Sequence, residues 1–441
     1  MKTKFLLFTL FFLAAMQVKA NNMLVKNVTT TGDNSANKTI QVQFDMSWDN
    51  SWRDSINWDA AWVFMKYKDA NGNWQHVQLN TTGFANGTGT ANTIQVGSDK
   101  VGAFVYRSAA GTGTFANTTM QLQWNYGLSG LTNVTGLEIR VFAVEMVYVP
   151  QGDFNVAKTF SNNGSQTFKT FSASGNNFPV INQKMTPTLT YNDGVSINIR
   201  IKGDAGLDSD NNGVIDKPDY PTGYRAFYCF KYELSEQQYA DFLNTLSQAQ
   251  VTSLGVAGSS ISPSSGQYFS SNPNRACGNA TVNRFLSFAD WSGLRPMSIL
   301  ELNKASYGPL QPVLMIYCQS LCGGVDYYSA STGSSTNFGD LVDVGFYASI
   351  STVRSNSGGS YYGIFELSGN AHEPISKLGY FNFSKVNGNG RLSTNGLTDE
   401  TNWPTSNFQF SDVIRNASGG MCPQSFFLSS KYGFRYVRSA E

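Results

Sequence analysis

Gly363-Ile364-Phe365-Glu366-Leu367-Ser368-Gly369-Asn370-Ala371-His372-Glu373-Pro374 is the stretch on which the fold turns. Two carboxylates, Glu366 and Glu373, stand seven residues apart and flank a turn of small residues. Such a turn can aim backbone carbonyls at the point the carboxylates face, and a ring of oxygens suits a hard cation such as Ca²⁺. Spacing alone is met as well by a turn tied down with salt bridges, which is the plainer reading of two acids near a glycine.

Four further blocks stand in order around it. Met146-Val147-Tyr148-Val149-Pro150-Gln151-Gly152-Asp153-Phe154 comes first. Phe227-Tyr228-Cys229-Phe230-Lys231-Tyr232-Glu233-Leu234-Ser235 comes second and leads into a helix. There Ser235 and Gln238 make a capping box, and Tyr239, Phe242, Leu243 and Leu246 form one apolar stripe. Trp291-Ser292-Gly293-Leu294-Arg295-Pro296-Met297-Ser298 is the third block. Ser298 and Glu301 repeat the capping box and open a short helix through Ala305. Gly433-Phe434-Arg435 closes the series.

Together the five blocks resemble the formylglycine-generating-enzyme (sulfatase-modifying factor) family, whose fold is related to that of C-type lectins. The Gly363–Pro374 stretch is similar to that family's Gly-Leu-Tyr-Asp-Met-x-Gly-Asn-Val-Trp-Glu-Trp signature. The resemblance implies a calcium site made by the Glu366 and Glu373 side chains with the Gly369 and Ala371 carbonyls. Glu366 stands where the family has Asp or Asn and keeps an oxygen donor. His372 and Pro374 replace aromatic residues, so the packing around the turn must differ. Catalysis does not carry over. The family binds Cu(I) with two nearby Cys, and soft thiolates are the right ligands for that ion. Gly419-Gly420-Met421-Cys422 is similar to the run into the catalytic Cys, but no second Cys follows Cys422. Only 12 residues separate Gly420 from Gly433, too few for the family's Arg-rich catalytic stretch. The related iron-dependent sulfoxide synthases need a His cluster, and this chain has His76 and His372 only.

A second calcium pattern stands outside the resemblance, in Asp208-Ser209-Asp210-Asn211-Asn212-Gly213-Val214-Ile215-Asp216-Lys217-Pro218-Asp219. Oxygen donors fall at loop positions 1, 3, 5, 9 and 12 (Asp208, Asp210, Asn212, Asp216 and Asp219), and the Val214 carbonyl would serve position 7. Gly213 sits where an EF-hand loop must turn sharply. Asp219 is shorter than the usual bidentate Glu, and Pro218 precedes it. An Asx-rich surface turn is the alternative reading.

Upstream of Val144 the pattern changes. Thr39–Met46, Ala61–Tyr67, Thr118–Trp124 and Gly136–Phe142 alternate apolar and polar residues between Gly- and Asn-rich turns. Short alternating strands with regular turn signals predict an antiparallel sandwich. Residues 1–20 read as a secretory signal peptide: Lys2 and Lys4, a 12-residue apolar run from Phe5 to Met16 broken only by Thr9, then Val18-Lys19-Ala20. That run is shorter than the roughly 20 apolar residues of a spanning helix. The expected class is therefore α+β: a sandwich over 21–143, then a formylglycine-generating-enzyme-like domain with few helices over 144–441.

Charged residues make up 14% of the chain, well below the roughly 25% that is typical. Lys+Arg of 31 against Asp+Glu of 30 leaves +1, which argues against a nucleic-acid or anionic-membrane partner. Five Cys (229, 277, 318, 322 and 422) are too irregularly spaced for a disulfide framework. Cys318-Gln319-Ser320-Leu321-Cys322 would put two sulfurs on one helix face, though a buried or bonded pair is the plainer reading. These features lead to the expectation of an exported, calcium-stabilised binding or structural protein without catalysis. Its ligand would be a glycan or a protein. The alternative is a formylglycine-generating oxidoreductase acting through Cys422.

Overall fold

The computed structural model describes residues 22–155, 180–181, 219–309, 341–346, 360–367, 370–371, 373–376, 383–403, 409–410 and 432–440. The expected signal peptide, Cys318, Cys322 and Cys422 lie outside them. The described residues are rich in strand, with four short helices, a β-rich α+β chain as expected. No helix among them is long and apolar enough to cross a membrane.

Nine strands come first: β1 (Leu24–Asn34), β2 (Thr39–Arg53), β3 (Asp59–Lys68), β4 (Trp74–His76), β5 (Thr88–Gly89), β6 (Asn92–Val96), β7 (Ala103–Arg107), β8 (Gly111–Asn125) and β9 (Ile139–Val149). One four-stranded sheet has the order β1-β2-β8-β5. Its central strand alternates as the sequence predicts. Ile40, Val42, Phe44, Met46 and Trp48 of β2 are buried, and the residues between them are half-buried.

β3 does not alternate. Every residue from Asp59 to Tyr67 is buried, because both faces of its sheet are covered. Ala61, Val63, Met65 and Tyr67 join the core between the two sheets. Ala60, Trp62 and Phe64 point the other way, into a core shared with the C-terminal two-thirds.

The later elements are β10 (Phe154–Asn155), β11 (Val180–Ile181), β12 (Phe227–Phe230), α1 (Glu236–Leu243), α2 (Gln248–Leu254), β13 (Ile261–Ser264), β14 (Gln267–Ser270), α3 (Val282–Trp291), β15 (Met297–Ser298), α4 (Ile299–Tyr307), β16 (Pro374–Ser376), β17 (Gln409–Phe410) and β18 (Val437–Ser439). β12 and β18 extend the sheet of β3 into the order β18-β12-β9-β3-β7-β6, with β4 paired to β3. β9 runs through the junction placed between Ala143 and Val144. It pairs with β3 over Ile139–Val147 and with β12 over Met146–Val149.

Both predicted capping boxes form, at Ser235/Gln238 and Ser298/Glu301, and a third at Ser247/Gln250 opens α2. α4 continues two residues past Ala305, to Tyr307. α3 begins at a Thr281 cap and buries Phe285, Leu286, Phe288, Ala289 and Trp291.

The end of α3 joins the two parts of the chain. A helix terminus leaves carbonyls without intrahelical partners and with partial negative charge. Here Lys66 Nζ donates to Trp291 O at 2.7 Å, and Trp62 Nε1 donates to Ser292 O at 2.8 Å. Arg438 Nη1 donates to Gly293 O. Lys66 has two further acceptors, Gly390 O at 2.6 Å and His76 Nδ1 at 2.9 Å. Lys66 Nζ thus has three partners, and burial holds its pKa well below its ordinary value. His76 Nε2 donates to Val101 O at 2.7 Å, which leaves the imidazole neutral, in keeping with a pKa held well below its ordinary value, chiefly by burial.

Gly390 is needed at this junction. Its φ is +82°, and a Cβ there would lie 2.1 Å from His76 Nδ1. Gly390→Ala should therefore destabilise the protein by about 1–3 kcal/mol or more, read as a lower urea midpoint with an unchanged m-value.

Candidate functional site

Three segments converge at the far end of β12: residues 231–235, the described residues of the 363–376 turn, and Phe434–Arg435. The Lys231 carbonyl accepts a hydrogen bond from Phe365 N at 2.9 Å, which brings the turn against the strand exit. Glu366 and Asn370 both lie in the left-handed region, at φ +58° and +53°. Asn tolerates that region, but Glu enters it only at a cost, and such strain concentrates at functional sites.

The turn brings Glu366, Ala371 and Glu373 together with Glu233 and Arg435. Glu233 accepts from Ala371 N at 2.8 Å through one oxygen and from the Asn370 side-chain amide through the other. Glu373 Oε1 accepts from Arg435 Nε at 2.7 Å. The same guanidinium donates to Phe230 O at 3.1 Å and to Glu366 O at 3.2 Å. Glu366 Oε2 accepts from Gly345 N at 2.9 Å, while its Oε1 is buried with no hydrogen-bond partner among the described residues.

Three buried carboxyl groups thus stand near one guanidinium, which only Glu373 binds through its carboxylate, and each of the four residues is at most 4% exposed. Burial, then Glu366 and Glu373, hold the Glu233 carboxyl well above the usual range. Burial pushes Glu366 up to about 7. A buried group with more carboxylates than cations favours either protonation or a bound cation. The sequence reading named Glu366, Gly369, Ala371 and Glu373 as ligands; Gly369 lies outside the described residues. It did not assign roles to Glu233 or Arg435, although each stands inside a motif block.

Comparison with known protein families, with curated proteins and with solved structures finds no match.

A second buried cluster is centred on Lys231, two residues before Glu233. Lys231 Nζ binds Asp59 Oδ2 at 2.9 Å, Glu145 Oε2 at 3.1 Å and Asn50 O at 3.1 Å. Asp59 also accepts from Trp48 Nε1, Ser51 Oγ and Trp52 N. Glu145 Oε1 is buried without a partner among the described residues. Burial pushes its carboxyl to about 7, with Lys231 only partly offsetting the shift.

Of the predicted Asp208–Asp219 loop, only Asp219 is described. It is exposed, and its carboxylate pairs with Lys385 at 3.1 Å. Asp208, Asp210, Asn212, Val214 and Asp216 lie outside the described residues. Asp290, Asp399 and Glu400 form a further carboxylate group. The Asp290 carboxylate already accepts from Asn389 N, Thr398 Oγ1 and Asp399 N. Cys229 and Cys277 are free, buried thiols. Burial pushes Cys229 up to about 12 and holds Cys277 well above its ordinary value, so neither is a reactive thiolate at neutral pH.

Proposed function

We propose that this chain is an exported, non-catalytic binding or structural protein on a formylglycine-generating-enzyme-like, lectin-related scaffold, with calcium stabilising the 363–374 turn. The supporting observation is the buried Glu366 Oε1, unpartnered among the described residues, beside the buried Glu233 and Glu373 carboxyl groups with Arg435 as their one nearby guanidinium. The Glu366 and Glu373 carboxylates with the Gly369 and Ala371 carbonyls would hold the ion. All are hard oxygen donors, as Ca²⁺ requires. The bound ion would supply the positive charge that Arg435 alone does not. The Asp208–Asp219 loop is a second calcium loop in this reading.

A ligand that binds only the folded state must stabilise it, by about 2.7 kcal/mol at a hundred times its Kd. EDTA should lower the melting midpoint, and excess Ca²⁺ should restore it. Glu366→Gln should remove most of that increment. A wild-type midpoint indifferent to both chelator and calcium would remove the calcium reading.

The pH dependence has a definite sign. Glu366 titrates near 7 when folded, against a reference value of 4.5. Between those values the folded chain holds more protons than the unfolded one, so without calcium this group makes stability fall as pH rises. Calcium needs the ionised carboxylate, so its effect should grow over the same interval.

A further inference from the structure

A cavity of about 700 Å³ opens at the seam between the sheets of the N-terminal third and the rest of the chain. Its walls are Ser98–Asp99 from the β6–β7 turn, segment 219–226, segment 384–387 with Asn402, and the end of β18. That volume is within the range of small-molecule sites, which favour such seams. The floor is rigid. Arg295 and Glu301 pair through two bonds of 2.8 and 2.6 Å, and Arg295 Nε also donates to Ser439 Oγ at 3.1 Å.

The charges decide the ligand class. Asp99, Asp219 and Glu301 balance Arg225, Arg295 and Lys385 among the lining residues. Asp99 is paired with Arg438 at 2.5 Å, Asp219 with Lys385 at 3.1 Å, and Glu301 with Arg295. Arg225 alone has no partner among the described residues. A phosphorylated ligand would need several free cations, and a divalent metal would need free carboxylates. The walls are mixed rather than apolar, with Tyr220, Tyr224 and Val386 standing among the polar groups.

The groups left free are planar and polar. The Asn402 side chain makes no hydrogen bond among the described residues. Asn387 accepts from Ser439 N at 3.0 Å through Oδ1, which leaves its Nδ2 as a free donor. Arg225 adds a fork of donors. An amide presents a donor and an acceptor in one plane, and a guanidinium presents a planar set of donors. Vicinal hydroxyls, which both donate and accept, can use all of these without displacing any ion pair.

We propose that this seam cavity binds a short neutral oligosaccharide through Asn387, Asn402 and Arg225. The assignment rests on the binding-protein reading above and specifies its ligand class and site. The test is a glycan array of neutral and acidic oligosaccharides, followed by calorimetric titration of the best neutral binder. Wild type should bind a neutral glycan. Asn402→Ala combined with Arg225→Ala should weaken it at least tenfold, and Asn402→Trp, which plugs the mouth, should abolish it. Both positions are exposed, so the melting midpoints should stay close to wild type.

Failure of wild type to bind any neutral glycan at millimolar concentration would overturn the assignment. A preference for acidic over neutral glycans would do the same, by making Arg225 an anion site. Binding that survives Asn402→Trp unchanged would place the ligand elsewhere; it would overturn this cavity and leave the binding reading standing. Oxidation of a cysteine-containing sulfatase peptide by the protein would instead overturn the non-catalytic reading itself.

Discussion

Lys231→Ala should cost about 3–5 kcal/mol of stability, a large part of what a folded domain possesses. The substitution leaves Asp59 and Glu145 buried without their common cation, and Glu145 Oε1 already lacks a partner among the described residues. Two uncompensated carboxylates must then be protonated or hydrated in place. Urea unfolding should show the loss as a fall in midpoint. Glu145→Gln added to Lys231→Ala should recover part of it, because one of the two stranded charges is gone. If Lys231→Ala loses less than about 1 kcal/mol, the ion cluster is not the clamp its geometry describes.

A protein beginning at Val144 should fail to fold. The β3 edge of β9 would be bare, and unpaired strand edges are prone to aggregate. Trp62 and Phe64 would be missing from a core they share with Phe242, Phe288 and Trp291. The terminal carbonyls of α3 would lose the Lys66 and Trp62 donors. Tyr362 O would lose Asn57 Nδ2, now at 2.8 Å. The expected signature is poor amide dispersion in NMR and no cooperative melting transition. A dispersed spectrum with a sharp transition would show instead that the C-terminal part stands alone and that the sandwich is an appendage.

What was legible in the sequence follows the range of the interactions concerned. The capping boxes at Ser235 and Ser298 are decided within four residues, and both appear as read. Strand β2 could be found because one of its faces is covered and the other partly wet. α3 was not anticipated. Its Thr281 cap has Arg284 at the third helical position rather than Glu or Gln, so no capping box announces it. The all-buried pattern of β3 reflects a second covering layer more than 200 residues away in sequence, as in the Trp62–Ser292 bond. At the candidate site the turn and its two acids could be read from their spacing. The pairing of Glu373 with Arg435 and the return of Glu233 to the same pocket could not, because each depends on segments at least 60 residues apart. The cavity has no local signature, since its walls come from both parts of the chain.

The order of the middle sheet has a kinetic consequence. Its outer strand β18 follows its neighbour β12 by more than 200 residues, and Arg438 reaches back 339 residues to Asp99. A topology dominated by such distant contacts folds slowly, because loop closure must come before any reward. While the chain is being made, β9 has a partner in β3 but waits for β12 and then β18. Refolding from urea should therefore be slow and should lose material to aggregation as protein concentration rises.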